Sequence, residues 1–375
     1  MPEEESTVGQ MDITGVEDLP TSLSKELREL LDRFREGKKV GLARGITLVE
    51  NEDPGFQAFL HAVLETPRFA KRVGFTGPPG AGKSSLVAAL TRAYRAGDED
   101  VGVVAVDPTS PYSGGALLGD RIRMNDLATD PGIFIRSMAT RGSVGGLATT
   151  TKEVLDLLDA FGFQRVLVET VGVGQTELEI TGAADTVVVI LVPESGDAIQ
   201  AMKAGLMEIA DIFVVNKADR PGADRLVQDL KLALQLREGK ALKDVPAHHG
   251  IDLRRLAKEE DTGPPPLEDE ERWSIPVVKT VAQSGEGVEE VMEAVARHRV
   301  YLESSGTLEE RRKARAAERV RDVVERELKR FAWSSPRVAE ILDEGVKRIL
   351  DGSETPYSLG AVILRELVRD PSPGD

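Results

Sequence analysis

The chain has 375 residues, of which 41% are hydrophobic and 30% are charged, so it can bury a sizeable core. Its formal net charge of −16 disfavours a nucleic-acid partner and attachment to an anionic membrane, because like charges repel. Without cysteine it has neither disulfides nor thiolate metal sites. We find no leader peptide and no apolar run of about 20 residues, so we expect a cytoplasmic protein.

The first predicted elements are helices that follow an acidic segment. Residues 1–20 are rich in acidic and small polar side chains, which predicts a disordered tail. From Ser22 to Leu64, leucines recur at spacings of three and four residues, and this pattern is typical of helices. Pro54 and Gly55 interrupt it. We interpret residues 21–68 as a helical N-terminal extension.

Residues 69–303 alternate short apolar runs with longer amphipathic segments. Most of the runs lack polar alternation, as expected of strands that are buried on both faces. The alternation predicts an α/β fold with a doubly wound, mainly parallel sheet of about seven strands. The predicted strands are Val73–Thr76, Val101–Val106, Ile133–Arg136, Val166–Glu169, Val187–Val192, Ile212–Val215 and Val277–Thr280.

A GxxxxGK[ST] motif lies between the first predicted strand and the helix that follows it. Its glycines let successive backbone N–H groups face phosphate oxygens, and the helix N-terminus adds a positive dipole end. Lys83 is expected to bridge the outer phosphates, and the Ser84 hydroxyl to ligate magnesium. The motif predicts a P-loop NTPase with phosphate-binding residues Gly77, Pro78, Pro79, Gly80, Ala81, Gly82, Lys83 and Ser84.

An NKxD motif at residues 216–219 follows the sixth predicted strand and identifies the base. A carboxylate at Asp219 can accept hydrogen bonds from N1–H and the exocyclic amine of guanine, whereas adenine offers neither donor there. The stem of Lys217 would cover the base. The loop after the last strand is expected to contact the base mainly through its backbone. The predicted base-binding residues are Asn216, Lys217, Asp219, Val281, Ala282 and Gln283.

Two predicted strands end in carboxylates, at Asp107 and Glu169. Ligands of open α/β sheets bind at this carboxyl edge, so both side chains are candidates for magnesium and its water shell. Glu169 opens an ETVG sequence where many GTPases have the aspartate of a DxxG switch, and its extra methylene should let it reach the metal. Asp120, in the glycine-rich segment 113–126, is a third candidate. The predicted catalytic residues are Lys83, Asp107, Asp120 and Glu169, and the predicted metal ligands are Ser84, Asp107, Asp120 and Glu169.

The position after Gly172 holds Val173 rather than a residue that could orient water. A GTPase of the Ras type uses a glutamine there. The nearest glutamine in this chain is Gln175. We therefore hypothesise slow intrinsic turnover that a partner accelerates.

Residues 304–375 are predicted to be helical again. Within them an apolar stripe, surrounded by arginine and glutamate, fits either a helix packed on its own domain or a dimer seam. Two further short helices are predicted between Pro336 and Leu367, joined through Gly352 to Pro356. The stripe consists of Ala317, Val320, Val324, Leu328 and Phe331.

Five sequence blocks occur in a specific order: GPPGAGKSS, VDPTSPYSGGALLGDRIRM, ETVGVGQTELEI, VPESGDAIQAMKAG and VNKAD. Together they resemble the MeaB/ArgK family of SIMIBI-class GTPases associated with methylmalonyl-CoA mutase. The resemblance covers roughly residues 20–300. It implies a homodimeric, GTP-dependent chaperone for a cobalamin-dependent acyl-CoA mutase. Such proteins gate adenosylcobalamin loading, protect the mutase and use their C-terminal helices for dimerisation, with the cobalamin held by the partner.

The resemblance also implies roles for individual residues. It places Lys83, Asp107, Asp120 and Glu169 at nucleotide and metal positions, and it extends the phosphate-binding segment to Ser85. Its first switch corresponds to the segment with Arg121 and Arg123, and an additional switch, which contacts the mutase, to Glu194–Lys203. Val281 departs from the family pattern, in which a small polar residue is common, so the base contacts there are open.

Four other functions compete with this one. ArgK members have been described as kinases for proteins of basic amino-acid transport, and a P-loop alone does not distinguish transfer to a protein from transfer to water. A nickel metallochaperone would need histidine-rich or cysteine ligands. A signal-recognition GTPase would need a methionine-rich domain, and the chain has only seven methionines. A module that holds GTP without turnover is disfavoured by Lys83, Asp107 and Glu169.

Overall fold

The computed structural model describes residues 23–65, 70–107, 126–139, 149–170, 180–193, 205–237 and 272–369. The predicted disordered tail at residues 1–20 lies outside them. Within the described residues, seven strands form one sheet in the order β3-β2-β4-β1-β5-β6-β7, and every neighbouring pair is parallel. The strands are β1 Lys71–Thr76, β2 Val101–Asp107, β3 Ile133–Ala139, β4 Arg165–Thr170, β5 Thr186–Leu191, β6 Ile212–Asn216 and β7 Val277–Thr280.

The predicted α/β fold is confirmed, and helices cover both faces of this sheet. Successive residues of each strand point to opposite faces, and two separate apolar clusters result. The helices are α1 Lys25–Arg35, α2 Lys39–Glu50, α3 Phe56–Leu64, α4 Lys83–Ala96, α5 Thr149–Phe161, α6 Leu206–Ile209, α7 Ala223–Arg237, α8 Val288–Ser304, α9 Thr307–Ser334, α10 Pro336–Leu350 and α11 Pro356–Arg369. Among these described helices, none is long and apolar enough to cross a membrane.

One face of the sheet packs against α4 and α8, and the other against α5, α7 and the N-terminal helices. Within β2, Val103 belongs to the cluster on the face covered by α4 and α8, and Val104 to the cluster on the opposite face. Because both faces are covered, the central strands are continuous apolar runs, which is why the sequence pattern located them. Strands β2, β3 and β4 lie on one side of β1, and β5, β6 and β7 lie on the other. The carboxyl end of β1 therefore lies where the strand order switches.

The N-terminal helices share the hydrophobic core of the sheet. Phe34 of α1 packs edge-on against Phe59 of α3 and Phe161 of α5, with ring centroids 6.1 Å and 5.2 Å away. The helical pattern from residue 22 contains a break that the sequence analysis missed, at Gly37, whose φ is +74°. The chain turns there so that α2 packs back on α1. Gly41 permits this approach, because a Cβ would lie 2.7 Å from the backbone nitrogen of Phe34.

The C-terminal helices α10 and α11 form a hairpin with a small core of Val338, Leu359 and Ile363. Gly345 of α10 allows the close contact, since a Cβ there would lie 2.2 Å from a methyl carbon of Leu359. The turn between the helices contains Gly352, whose φ is +79°. Both helices were expected from the sequence.

Helix α9 attaches to the sheet through charged side chains. At the amino ends of β5 and β6, the carboxylates of Asp185 and Asp211 are nearly buried. Asp185 pairs with Arg315 at 2.5 Å, and Asp211 accepts two hydrogen bonds from Arg311, at 2.9 and 3.0 Å. Burial disfavours the ionised form of Asp185, but Arg315 and Arg312 outweigh it and lower the pKa of this carboxyl.

The apolar stripe of α9 is exposed. Val320, Val324, Leu328 and Phe331 are 63%, 49%, 61% and 41% exposed. The interpretation in which this stripe packs on its own domain is therefore wrong for the described residues. The helix instead turns its basic side toward the domain, where Lys152 of α5 also pairs with Glu318 of α9 at 2.6 Å. The ion pairs decide the orientation because acidic residues line the surface that α9 meets.

His298 of α8 is buried beneath this network. Its Nδ1 lies 2.9 Å from the Thr186 hydroxyl, and its ring packs against Trp273 with centroids 4.7 Å apart. Burial lowers the pKa of His298 to about 4, against the opposing attraction of Asp211. The ring is therefore neutral at physiological pH, and its 3.3 Å contact with the Asp211 carboxylate is not an ion pair there.

Candidate nucleotide-binding site

The phosphate-binding loop joins β1 to α4 at the switch in strand order. Its three glycines Gly77, Gly80 and Gly82 have φ values of +138°, +78° and +86°, which residues other than glycine rarely adopt. At Gly77 a Cβ would lie 2.1 Å from the Ile190 carbonyl oxygen, and at Gly82 it would lie 2.4 Å from Nδ2 of Asn216. These glycines thus allow the loop to curl and to lie against β5 and β6. Pro79 and Gly80 form its exposed tip.

Lys83 begins α4 and its side chain turns back into the loop. Its Nζ donates hydrogen bonds to the carbonyl oxygens of Gly77 at 2.8 Å and Pro78 at 3.1 Å. The residue is 6% exposed, so its ammonium group is positioned by the loop rather than by solvent. A phosphate in the loop would meet this charge together with the N-terminus of α4. Ser85, also expected to bind phosphate, is half-buried on the first turn of α4.

Ser84 and Glu169 form a buried pair at the same edge of the sheet. The Ser84 hydroxyl donates to Oε1 of Glu169 at 2.6 Å, and the two residues are 6% and 5% exposed. A hydroxyl and a carboxylate are hard oxygen donors, which suit Mg²⁺. The hydroxyl can donate to Glu169 and still offer a lone pair to a metal. These two residues therefore fit the predicted magnesium site.

The other predicted magnesium residues differ in how far the structure describes them. Asp107 is the last residue of β2, one position beyond the pairing of Val106 with Thr170 of β4, and so lies at the same edge. Asp120 lies outside the described residues. Among the described residues, no group of three or more histidine, aspartate and glutamate side chains forms a metal cluster. Ser84 and Glu169 are thus the predicted ligands whose side chains the structure brings into contact.

Asn216, the last residue of β6, connects the P-loop with the loop after β7. Its Nδ2 donates to the carbonyl oxygen of Ala81 at 2.9 Å. Its Oδ1 accepts from the Thr280 hydroxyl at 3.0 Å and from the backbone nitrogen of Ala282 at 3.1 Å. The side chain is buried, so its hydrogen bonds hold the two loops together.

The predicted base-binding segments are neighbours because β6 pairs with β7, with Asn216 opposite Thr280. Lys217 adopts a left-handed conformation, with a φ of +55°, which turns the chain out of the strand. The exposed Asp219 follows it. In the facing loop, Val281 bridges to Glu286, while Gln283 is exposed. Both segments therefore lie beside the P-loop, to which the side chain of Asn216 connects them.

Several predicted functional residues lie outside the described residues. They include the first-switch residues Asp120, Arg121 and Arg123, the segment with Val173 and Gln175, and the additional switch Glu194–Lys203. The structure also brings to this edge three hydroxyl groups to which the sequence analysis assigned no role. Thr76, Thr170 and Thr280 are buried hydroxyl residues at the carboxyl ends of three strands, and each makes a side-chain hydrogen bond at this edge. Their position at or directly after the end of a predicted strand was the only sequence signal.

The strand–P-loop–helix unit, the Ser84–Glu169 pair and the NKxD segment beside them define a P-loop GTPase. The chain belongs to the MeaB family, since residues 42–337 match the family model described as "Methylmalonyl Co-A mutase-associated GTPase MeaB". Its relatives are named GTPases, and GTP hydrolysis is accordingly the activity of this chain.

Individual relatives support this assignment. The chain is 44% identical over 340 residues to a putative GTPase of Pyrococcus abyssi, which covers 91% of this chain and 96% of the relative. It is 30% identical over 371 residues to the mouse protein "Methylmalonic aciduria type A homolog, mitochondrial", covering 93% and 82% of the two chains. A crystal structure described as "LAO/AO transport system kinase" matches with a TM-score of 0.60 at 25% identity, covering 93% of this chain and 100% of that one.

Replacing Lys83 with alanine should lower kcat for GTP by at least about 100-fold, because the ammonium stabilises charge on the transferring phosphate. Phosphate release at saturating GTP measures this. The matched control is Lys347→Ala, which removes a lysine that is 71% exposed on α10. Equal turnover in wild type and the Lys83 variant would contradict the assignment of the P-loop.

Replacing Asp219 with asparagine should weaken GDP binding by at least about tenfold, because the carboxylate that accepts the guanine donors is lost. Xanthine has a carbonyl in place of the 2-amino group, so affinity for xanthosine diphosphate should rise. Titration calorimetry with both nucleotides measures the change. Asp224→Asn, at a carboxylate that is 88% exposed on α7, should leave both affinities as they are. An Asp219 variant with the wild-type preference would show that this residue does not read the base.

Proposed function

We propose that this GTPase is a cytoplasmic chaperone for a cobalamin-dependent acyl-CoA mutase of the methylmalonyl-CoA mutase type. Its GTP cycle would gate adenosylcobalamin loading and protect the mutase. The observation that carries the proposal is membership of a family described as mutase-associated, along most of the chain. The mouse relative, named for methylmalonic aciduria, supports it.

The contacts of Lys83, Ser84 and Glu169 support a mechanism for hydrolysis at the phosphate end of GTP. Water would attack the γ-phosphate in line, and the Lys83 ammonium would exchange its bonds with the Gly77 and Pro78 carbonyls for phosphate oxygens. Backbone N–H groups of the P-loop would stabilise the remaining charge. Mg²⁺, when bound, supplies positive charge beside the β- and γ-phosphates. Ser84 and Glu169 would hold it, with Asp107 and Asp120 as further candidate ligands.

Loss of the γ-phosphate would change the segments next to the nucleotide. We propose the stretches 113–126 and 169–177 as the switches, because each contains a candidate magnesium carboxylate, Asp120 in the first and Glu169 in the second. Glu194–Lys203 follows β5 and would transmit the change to the mutase. Since Val173 stands where a water-orienting residue is expected, we propose that intrinsic hydrolysis is slow and that the mutase accelerates it.

The proposal is tested by measuring GTP hydrolysis with and without a cobalamin-dependent acyl-CoA mutase from the same source. We expect a stable complex and at least about tenfold stimulation of kcat, because a partner must complete the water-orienting machinery. The mutase alone controls for contaminating hydrolysis, and the Lys83→Ala variant shows that the stimulated activity belongs to this chain. Hydrolysis without a complex or stimulation would argue against a mutase client.

The same reaction, run with γ-labelled GTP, addresses the alternative of a kinase linked to basic amino-acid transport. A kinase would transfer the label to a protein side chain, whereas the proposed chaperone would release it as inorganic phosphate. The support for a kinase is the description of one similar crystal structure. Label that stays on a transport protein would favour the kinase.

We also propose that the protein is a homodimer joined through α9 and the helices after it. The support is the exposed stripe of Val320, Val324, Leu328 and Phe331, on a helix that the ion pairs of its opposite side fix to the domain. A continuous apolar stripe on a soluble chain is typical of an interface. A second copy brings the same stripe, as a two-fold axis requires.

Exchanging Val324 and Leu328 for glutamate should convert the dimer to a monomer, because each copy would bury two charges in the seam. Sedimentation velocity at micromolar concentration measures the mass. Val40→Glu on α2 is the control, as Val40 is 58% exposed but lies on the N-terminal helices. A wild-type chain that sediments as a monomer would refute the proposed dimer.

A further inference from the structure

Two buried threonines meet beside the site, and the GTPase assignment gives them no role. Thr76 is the last residue of β1 and Thr170 the last residue of β4, and they are 0% and 1% exposed. The Thr170 hydroxyl lies 3.1 Å from Oγ1 of Thr76, to which it donates, and 3.4 Å from the carbonyl oxygen of Phe75. The contact joins residues that are 94 positions apart in the chain.

This hydroxyl pair lies where two functional segments leave the sheet. The pairing of β1 with β4 ends at Phe75 opposite Glu169, so the threonines extend the connection one residue beyond the backbone ladder. Gly77, the first residue of the P-loop, follows Thr76 directly, and Glu169 directly precedes Thr170. Any displacement of Thr170 relative to Thr76 would therefore displace Glu169 relative to the P-loop.

A second side-chain bridge lies next to the first. The Ser84 hydroxyl donates to Glu169 at 2.6 Å, and Ser84 stands at the far end of the P-loop from Thr76. The two hydrogen bonds thus close a ring. The ring runs from Thr76 through the P-loop to Ser84, crosses to Glu169, and returns through Thr170 to Thr76. Of the two, the bond between the threonines involves neither predicted metal ligand, so a bound metal does not compete for it.

We propose that the Thr170–Thr76 hydroxyl pair positions Glu169 against Ser84 and thereby sets how strongly Mg²⁺ supports nucleotide binding. Both threonines are positioning residues, which act through Glu169 rather than on the nucleotide. A metal site loses affinity when the groups that orient its ligands are removed. The inference rests on the proposed magnesium role of Glu169.

The test compares Thr170→Val with wild type by titrating a fluorescent GDP analogue in Mg²⁺ and in EDTA. The dissociation constant in EDTA divided by the dissociation constant in Mg²⁺ isolates the contribution of the metal. We expect this ratio to fall about tenfold or more in Thr170→Val, as second-shell changes do at other metal sites, while the affinity in EDTA stays within about threefold of wild type. Thr170→Ser, which keeps the hydroxyl, should restore the ratio.

Two further variants make the result specific. Thr91→Val removes another fully buried hydroxyl, one that donates to the Val87 carbonyl at 2.7 Å within α4, and should leave the ratio at its wild-type value. If the pair acts as a unit, the double variant Thr76→Val/Thr170→Val should lower the ratio no further than Thr170→Val alone.

Three results would overturn the inference: a wild-type ratio in Thr170→Val, an equal loss in Thr91→Val, or effects of the two threonines that simply add. Glu169→Ala separates this failure from failure of the proposed magnesium role. If Glu169→Ala lowers the ratio while Thr170→Val does not, only the positioning role is wrong. If neither lowers it, the magnesium role of Glu169 is wrong as well.

Discussion

The nucleotide site depends on the buried side chain of Asn216, because it joins two loops that must face the same ligand. Its amide nitrogen donates to the Ala81 carbonyl of the P-loop, and its amide oxygen accepts from Thr280 at the end of β7 and from Ala282 in the loop after β7. A buried amide with satisfied partners is costly to displace, so this bridge fixes the spacing between the phosphate end and the base end. Glycine at position 82 is part of the same constraint, since a Cβ there would collide with the Asn216 amide.

The carboxyl and amino ends of the strands, which form two opposite edges of the sheet, make different contacts. At the carboxyl edge, small and hydroxyl side chains let loops approach closely, and the side chains of Lys83 and Glu169 lie there. At the amino edge, Asp185 and Asp211 form ion pairs with the arginines that attach α9. Buried ion pairs need several partners to offset the loss of hydration, and the basic face of α9 supplies them. The same attachment turns the apolar stripe of α9 outward, which links packing at one edge to the proposed dimer.

Much of the fold could be predicted because its strands are buried on both sides. All seven predicted strands exist, although β3 continues to Ala139, three residues beyond its predicted end at Arg136. The break at Gly37 was missed because leucines continue on both sides of it in a helical rhythm. The P-loop could be located from sequence because its function depends on local backbone geometry, which only glycine tolerates at Gly77 and Gly82. The loop after β7 lies next to the NKxD segment because β7 pairs with β6, and its base contacts stay a prediction.

The sequence by itself determined the class of this protein: a P-loop and an NKxD segment, in that order and each directly after a buried strand, specify a GTPase. Tertiary structure alone decided that Asn216 bridges two loops, that Thr170 meets Thr76, and that α9 faces the domain with its charged side. The physical reason is the order of the strands. β1 lies between β4 and β5, so its neighbours come from distant parts of the chain, and no local pattern reveals which side chains will meet across them.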